Sequence, residues 1–265
     1  MNHSRGLDLG IAGRKAIVCG SSSGLGKACA MALAHAGVDL VMTARTAATL
    51  HEAAQEIRHV TGVSVTEVAC DVTTEQGRNV VLAASPRADI LVNNSAGPPS
   101  GNFRDWDEAQ WVSAVTANMI SPILMIRSVV DSMAARGWGR IINITSYSAK
   151  YPLPLLGLSN GARSGLIGFV SGLAREVAPS GVTINNLLPG NFDTERFGAY
   201  TRKLAEKRGI SEQEILSEMA ASTPVGRIGN PEEFGTWCAF LASQHSGYVT
   251  AQNYVLDGGT YPGTY

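Results

Sequence analysis

Short apolar and β-branched runs alternate with helix-length segments along this chain, and that alternation leaves few folds open. The runs fall at residues 15–19, 39–43, 64–69, 90–92, 139–144, 183–188 and 253–255, and helical spacing fills 25–36, 50–61, 74–84, 107–136, 159–178 and 231–243. Strands separated by helices of that length run parallel through right-handed crossovers, with helices on both faces of the sheet. With 265 residues, 45% of them hydrophobic and 16% charged, the chain can bury a full core in one unit. The expectation is one α/β domain, a doubly wound parallel sheet over residues 1–265. The longest interruption, 191–229, has a charged, helix-prone middle at 201–219. A long insertion after a strand's C-terminal end is where such sheets place a substrate lid.

The first run leads into Gly20-Ser21-Ser22-Ser23-Gly24-Leu25-Gly26 and then an alanine-rich helical stretch. Glycines are needed where the backbone turns sharply and where a pyrophosphate must lie against bare amides at a helix start. Gly20, Ser22, Ser23, Gly24, Leu25 and Gly26 therefore read as a phosphate cradle, and the sheet as Rossmann-type. At the end of the second run, Thr43-Ala44-Arg45-Thr46 has no carboxylate for the ribose 2′-hydroxyl of NAD but has Arg45 for a 2′-phosphate, so NADP(H) is expected over NAD(H).

Composition narrows the partners. Net charge is −1 and no Lys/Arg block occurs, which argues against nucleic acid and against an anionic membrane surface. Cys19, Cys29, Cys70 and Cys238 lack metal-ligand spacing, so no metal site is expected and a reducing, cytoplasmic setting is. Residues 1–10 carry no long apolar run, and no stretch reads as the roughly 20 apolar residues that span a bilayer.

Taken with Cys70-Asp71-Val72, Asn93-Asn94-Ser95-Ala96-Gly97, Asn118, Asn143-Ile144-Thr145-Ser146, Pro189-Gly190-Asn191-Phe192-Asp193-Thr194 and Leu256-Asp257-Gly258-Gly259, the glycine turn makes nearly the whole chain resemble the short-chain dehydrogenase/reductase family. The resemblance implies a nicotinamide-dependent oxidoreductase acting on a small carbonyl or alcohol. It places Asp71 and Val72 at the adenine, Asn93 beside the adenine ribose, and Pro189, Gly190 and Thr194 by the nicotinamide carboxamide. It gives Ser146 the substrate oxygen, and Asn118 a water that feeds the proton relay. Asp71 has a second reading, as the cap of the helix beginning near Thr74. Ser95-Ala96 replaces the family's Ala-Gly.

The same resemblance exposes a gap. The family's proton-transferring Tyr and its partner Lys align with Ser159 and Arg163. A Ser hydroxyl is not an ordinary titrating group, and an Arg keeps positive charge for a ribose or phosphate without acting as a base. Lys150 and Tyr151, stiffened by Pro152 and Pro154, are the candidates to restore the chemistry. Tyr147, next to Ser146, is expected on the opposite face.

The expected function is hydride transfer with NADP(H) and nonstandard proton delivery. The alternatives are a catalytically impaired dinucleotide-binding or regulatory protein, and an isomerase or lyase of the same fold. Finally, Gly161, Gly165, Gly168 and Gly172 form a stripe on one helix, expected to meet the sheet or a second copy in a homodimer or homotetramer.

Overall fold

The computed structural model describes residues 7–264. The reading of residues 1–10 therefore lies mostly outside the described residues. Seven parallel strands form one sheet: β1 (Lys15–Cys19), β2 (Asp39–Ala44), β3 (Val65–Ala69), β4 (Ile90–Asn93), β5 (Gly139–Ile144), β6 (Val182–Pro189) and β7 (Asn253–Leu256), in the order β3-β2-β1-β4-β5-β6-β7. The order reverses between β1 and β4, which opens a crevice at the C-terminal ends of those strands. Along β1, Ala16 and Val18 enter one core layer while Ile17 and Cys19 enter the other, as a strand buried on both faces requires. The first layer is closed by α1 (Gly24–His35), α2 (Ala47–Thr61) and, as its buried Phe234 and Cys238 show, α9 (Pro231–Ala242).

The second layer is closed by α3 (Glu75–Ala84), α5 (Ser121–Ala135) and α6 (Gly157–Val177). The single helix expected at 107–136 is interrupted: α4 (Glu108–Val115) passes through a π-helical turn, Thr116–Ile120, before α5 begins. The resulting rod, Glu108–Ala135, is long and apolar enough by length and composition to cross a bilayer, contrary to the sequence expectation. Its inner face, Met125, Ile126, Val129, Val130 and Met133, packs on the sheet, as a core helix of this architecture must.

Within the insertion, α7 (Glu195–Arg208) and α8 (Glu212–Ser222) replace one continuous helical stretch. Gly209 takes a left-handed conformation after α7, and Ser211 with Glu214 forms a capping box that starts α8.

Beneath the crevice, four asparagines in register cross the sheet. Asn93 donates to Asn143 (2.9 Å), Asn143 to Asn186 (2.9 Å) and Asn186 to Asn253 (2.8 Å). Buried amides are stable there because each has its partner on the next strand.

Candidate active site

The cradle is built by backbone. Gly20 (φ +57°) and Gly24 (φ +54°) sit in the left-handed region, and a Cβ at Gly26 would stand 2.1 Å from the Gly20 carbonyl oxygen. Asn94 Nδ2 donates to that same carbonyl at 3.0 Å and holds the turn shut. Ser23 is the extended N-cap of α1, but its side chain makes no capping bond and no acid occupies the first turn. The first N–H groups of α1 are thus left for an anion. Across the crevice, Thr194 Cγ2 would lie 3.5 Å from a Cβ at Gly24, while its hydroxyl caps α7 by accepting the Phe197 N–H at 3.2 Å. Gly190 N–H donates to Leu256 O at 2.9 Å, which ties Pro189 and Gly190 to the end of β7.

At the far end of the crevice, Arg45 is exposed after β2. Its charge reaches Asp71. Burial alone would raise the Asp71 pKa, but hydrogen bonds from Thr73 and the Arg45 cation outweigh it and the net shift is downward. Thr74, not Asp71, caps α3, accepting the Gly77 N–H at 3.0 Å, so the capping alternative for Asp71 falls. The Val72 carbonyl accepts from Ser121 Oγ at 2.6 Å and Arg78 Nη1 at 3.1 Å, leaving its N–H and half-buried side chain. The Asn93 amide is buried and donates to Asn143 and to Pro122 O, so its side chain braces the sheet and only its backbone is left to lie beside a ribose.

The chemistry-bearing residues converge past β4 and β5. Ser146 starts a 3-10 turn, Tyr147–Ala149, and its Oγ accepts the Ser148 N–H at 3.2 Å, which leaves the hydroxyl proton to give away. Asn118 sits in the π-helical turn, its Nδ2 donating to Ala114 O (3.2 Å) and its Oδ1 accepting from Ser95 Oγ (3.1 Å). Ser95, the departure noted above, therefore orients Asn118. Ser159 is buried, and its hydroxyl has no hydrogen-bond partner among the described residues. Arg163 is buried too, and Nη1 donates to Ile144 O (2.9 Å) and Thr145 O (2.8 Å), binding α6 to the end of β5. Burial first, and the Arg196 charge second, bring its pKa down to about 10, so it stays a cation at neutral pH.

Lys150 and Tyr151 turn toward the C-terminal segment. Lys150 Nζ lies 5.8 Å from the centre of the Tyr261 ring, and the ring of Tyr151, 43% exposed, lies 6.4 Å from it, tilted by 56°. Tyr147 is half-buried; burial, then the charges of Asp257, Tyr151 and Tyr200, raise its pKa. Strand alternation could not place Tyr147, because the strand ends at Ile144 and a tight turn follows Ser146.

The glycine stripe divides. A Cβ at Gly165 would meet Met119 Sδ at 2.7 Å and one at Gly161 would meet Trp111 at 3.5 Å, whereas Gly168 and Gly172 face open space. Its first half therefore packs on the α4–α5 rod of the same chain, neither on the sheet nor on a copy. A cavity of about 1050 Å³ runs outside α1 between Met31, His35 and Phe240 and meets the crevice near Gly24 and Thr194. Among the described residues, no group of three or more His, Cys, Asp or Glu side chains is placed to hold a metal ion.

The family model described as enoyl-(acyl carrier protein) reductase matches residues 20–261. Acetoacetyl-CoA reductase of Cupriavidus necator is 32% identical over 256 residues, covering 94% of this chain and 99% of that protein. The chain belongs to the short-chain dehydrogenase/reductase family. Its fold is similar to that of L-sorbose reductase from Gluconobacter frateurii, solved with NADPH and L-sorbose, at a TM-score of 0.92 and 32% identity, covering 97% of this chain and all of that one. The 3-oxoacyl-[acyl-carrier-protein] reductase of Vibrio cholerae is 31% identical over 96% of this chain and 99% of its own length. All three of these relatives are named as reductases. Sequence reading passed over Arg196. The available signal was a cation in the first turn of a helix, where the positive end of the helix dipole disfavours it.

Proposed function

We propose that this chain is an NADP(H)-dependent oxidoreductase that moves hydride between the nicotinamide and a small carbonyl or alcohol, by a proton path without the family's Tyr and Lys. The observation that carries the reading is the cradle: a turn only glycine can close, opening on the uncapped start of α1, with Thr194 opposite. Gly20, Ser22, Ser23, Gly24, Leu25 and Gly26 hold the pyrophosphate, and Arg45 holds the 2′-phosphate that favours NADP(H). When bound, the cofactor supplies or accepts the hydride. Ser146 directs its free hydroxyl at the substrate oxygen.

Arg163 keeps β5 and α6 together and offers its remaining N–H groups to the nicotinamide ribose. Lys150 delivers the proton, with Tyr151 the alternative. Lys150 pairs with no carboxylate among the described residues, and its Nζ lies over the Tyr261 ring. Residues 191–229 act as the substrate lid. All four cysteines are unpaired, which suits the cytoplasm, and a homodimer or homotetramer is the assembly expected. The test is absorbance of the reduced nicotinamide over a panel of aldehydes, ketones and alcohols, with NADPH and NADH compared.

One observation favours a second reading, that of a binding or regulatory protein. Ser159 stands unpartnered where the proton-transferring Tyr belongs, and Arg163 is committed to backbone carbonyls. Tight NADPH binding without turnover of any member of the panel would decide for it.

A further inference from the structure

We infer that Arg196, backed by Arg163, is an anion-recognition site of the cleft, and that the substrate carries a carboxylate close to its reacting carbonyl or hydroxyl carbon. This rests on the oxidoreductase reading above and names its substrate class. Arg196 reaches from the first turn of α7 to the loop after β4. A Cβ at Gly97 would stand 2.7 Å from both Nη1 and Nη2 and 3.1 Å from Cζ, so the guanidinium sits over the loop with its terminal nitrogens nearest Gly97. Gly97 is two residues past Ser95, the hydroxyl that orients Asn118, and Arg196 is two residues past Thr194, which faces Gly24. The guanidinium thus spans the cleft beside the residues of the reaction.

Unlike Arg58, Arg208 and Arg227, which each pair with a glutamate, Arg196 has no hydrogen-bond or ion-pair partner among the described residues. Asp193 and Glu195 are its neighbours in the chain, yet neither forms an ion pair with it. Its charge instead bears on Arg163, which also lacks a carboxylate partner. Two cations held this near each other, one buried and one without a counter-charge, form a site of positive potential that an anion stabilises. A planar guanidinium matches a carboxylate through two parallel N–H···O bonds. The cofactor's pyrophosphate already has the cradle at α1, so the anion left for Arg196 is the substrate's.

The experiment uses matched probes, acetoacetate with methyl acetoacetate and 3-hydroxybutanoate with its methyl ester, on the full chain and on R196M. The proposal expects the parent to favour the acids. It expects R196M to lose about 10- to 100-fold in kcat/KM for the acids, the range of a charge-assisted pair, with the esters and NADPH affinity within about twofold. R196K, keeping the charge but not the two-pronged geometry, should recover part of the loss. Acids and esters handled alike by the parent overturn the proposal. So does an equal loss for both accompanied by weaker NADPH binding, which assigns the anion to the cofactor's pyrophosphate. Calorimetry of 3-hydroxybutanoate on the NADP-saturated protein separates the two failures. Binding that R196M abolishes, without turnover, keeps the anion site and removes the oxidoreductase reading; no binding and no turnover removes both.

Discussion

The two ends of the crevice are made in different ways. At the cofactor end, function is held in the backbone: glycines that let the turn close, amides left open at the start of α1, and a carbonyl clasped by Asn94. At the end proposed for the reaction it would rest on side chains that arrive from five separate pieces of chain: Ser95, Asn118, Ser146, Ser159 with Arg163, and Arg196. A backbone site tolerates almost no substitution but keeps its purpose across a whole family. A side-chain site can exchange members, provided another group assumes each role.

The sharpest test of that contrast is Gly26→Ala. One methyl group there would stand 2.1 Å from the Gly20 carbonyl oxygen, so the turn must open and the α1 amides move. We expect NADPH affinity to fall by about 10²-fold or more, ~2.7 kcal/mol, with a lower melting temperature from overpacking. Gly168→Ala, which meets nothing within 4 Å, should bind NADPH as the parent does. If the two variants bind alike, the turn is no phosphate cradle.

At the other end, Lys150→Met should cut turnover of a confirmed substrate by about 10²-fold, the usual contribution of a positioned acid or base, and leave NADPH affinity nearly unchanged. Tyr151→Phe is the matched variant. A large loss there, with Lys150→Met near normal, transfers the role to Tyr151. Full activity in both leaves proton delivery to water ordered by Asn118 and Ser146.

Arg163→Met probes whether the replaced lysine position has become structural. It would leave the carbonyls of Ile144 and Thr145 without their buried donor, at about 1–3 kcal/mol. Denaturant unfolding should show that loss, whereas Lys150→Met should be silent in the same measurement. An Arg163→Met protein as stable as the parent would mean that water replaces the guanidinium, and that the residue is kept for the cofactor alone.

How much could be read beforehand follows the same division. All seven strands were legible because each is a short apolar or β-branched run between helix-length segments, as the four successive buried residues of β1 show, and the tight turn was legible from the glycines at 20, 24 and 26. The interruption of the 107–136 helix was not, because the π-helical turn that aims Asn118 is a matter of backbone hydrogen bonding rather than of composition. Nor was the Asn93 ladder, since an asparagine at a strand end reads equally well as a ligand and as a buried strut. Arg196 and Tyr261 come from remote parts of the chain, and only folding brings them to Gly97 and Lys150. The glycine stripe was visible as a pattern, but what half of it packs against is set by Met119 and Trp111 on another helix.

The smallest effect belongs to Arg45, where a side chain does the work at the backbone-built end. It is exposed after β2, and its charge is felt by Asp71, whose carboxyl it helps to hold below the usual range. A 2′-phosphate there would gain a cation and meet the Asp71 carboxylate nearby, so the preference for NADPH should be moderate: about tenfold over NADH, ~1.4 kcal/mol, by calorimetry. Arg45→Asp should reverse it by placing a carboxylate where the ribose 2′-hydroxyl of NADH can donate to it. The preference should also weaken with added salt, because an exposed ion pair is screened. Equal affinities for the two cofactors in the parent would make Arg45 a solvated loop charge, and would leave the cofactor end specified by its backbone alone.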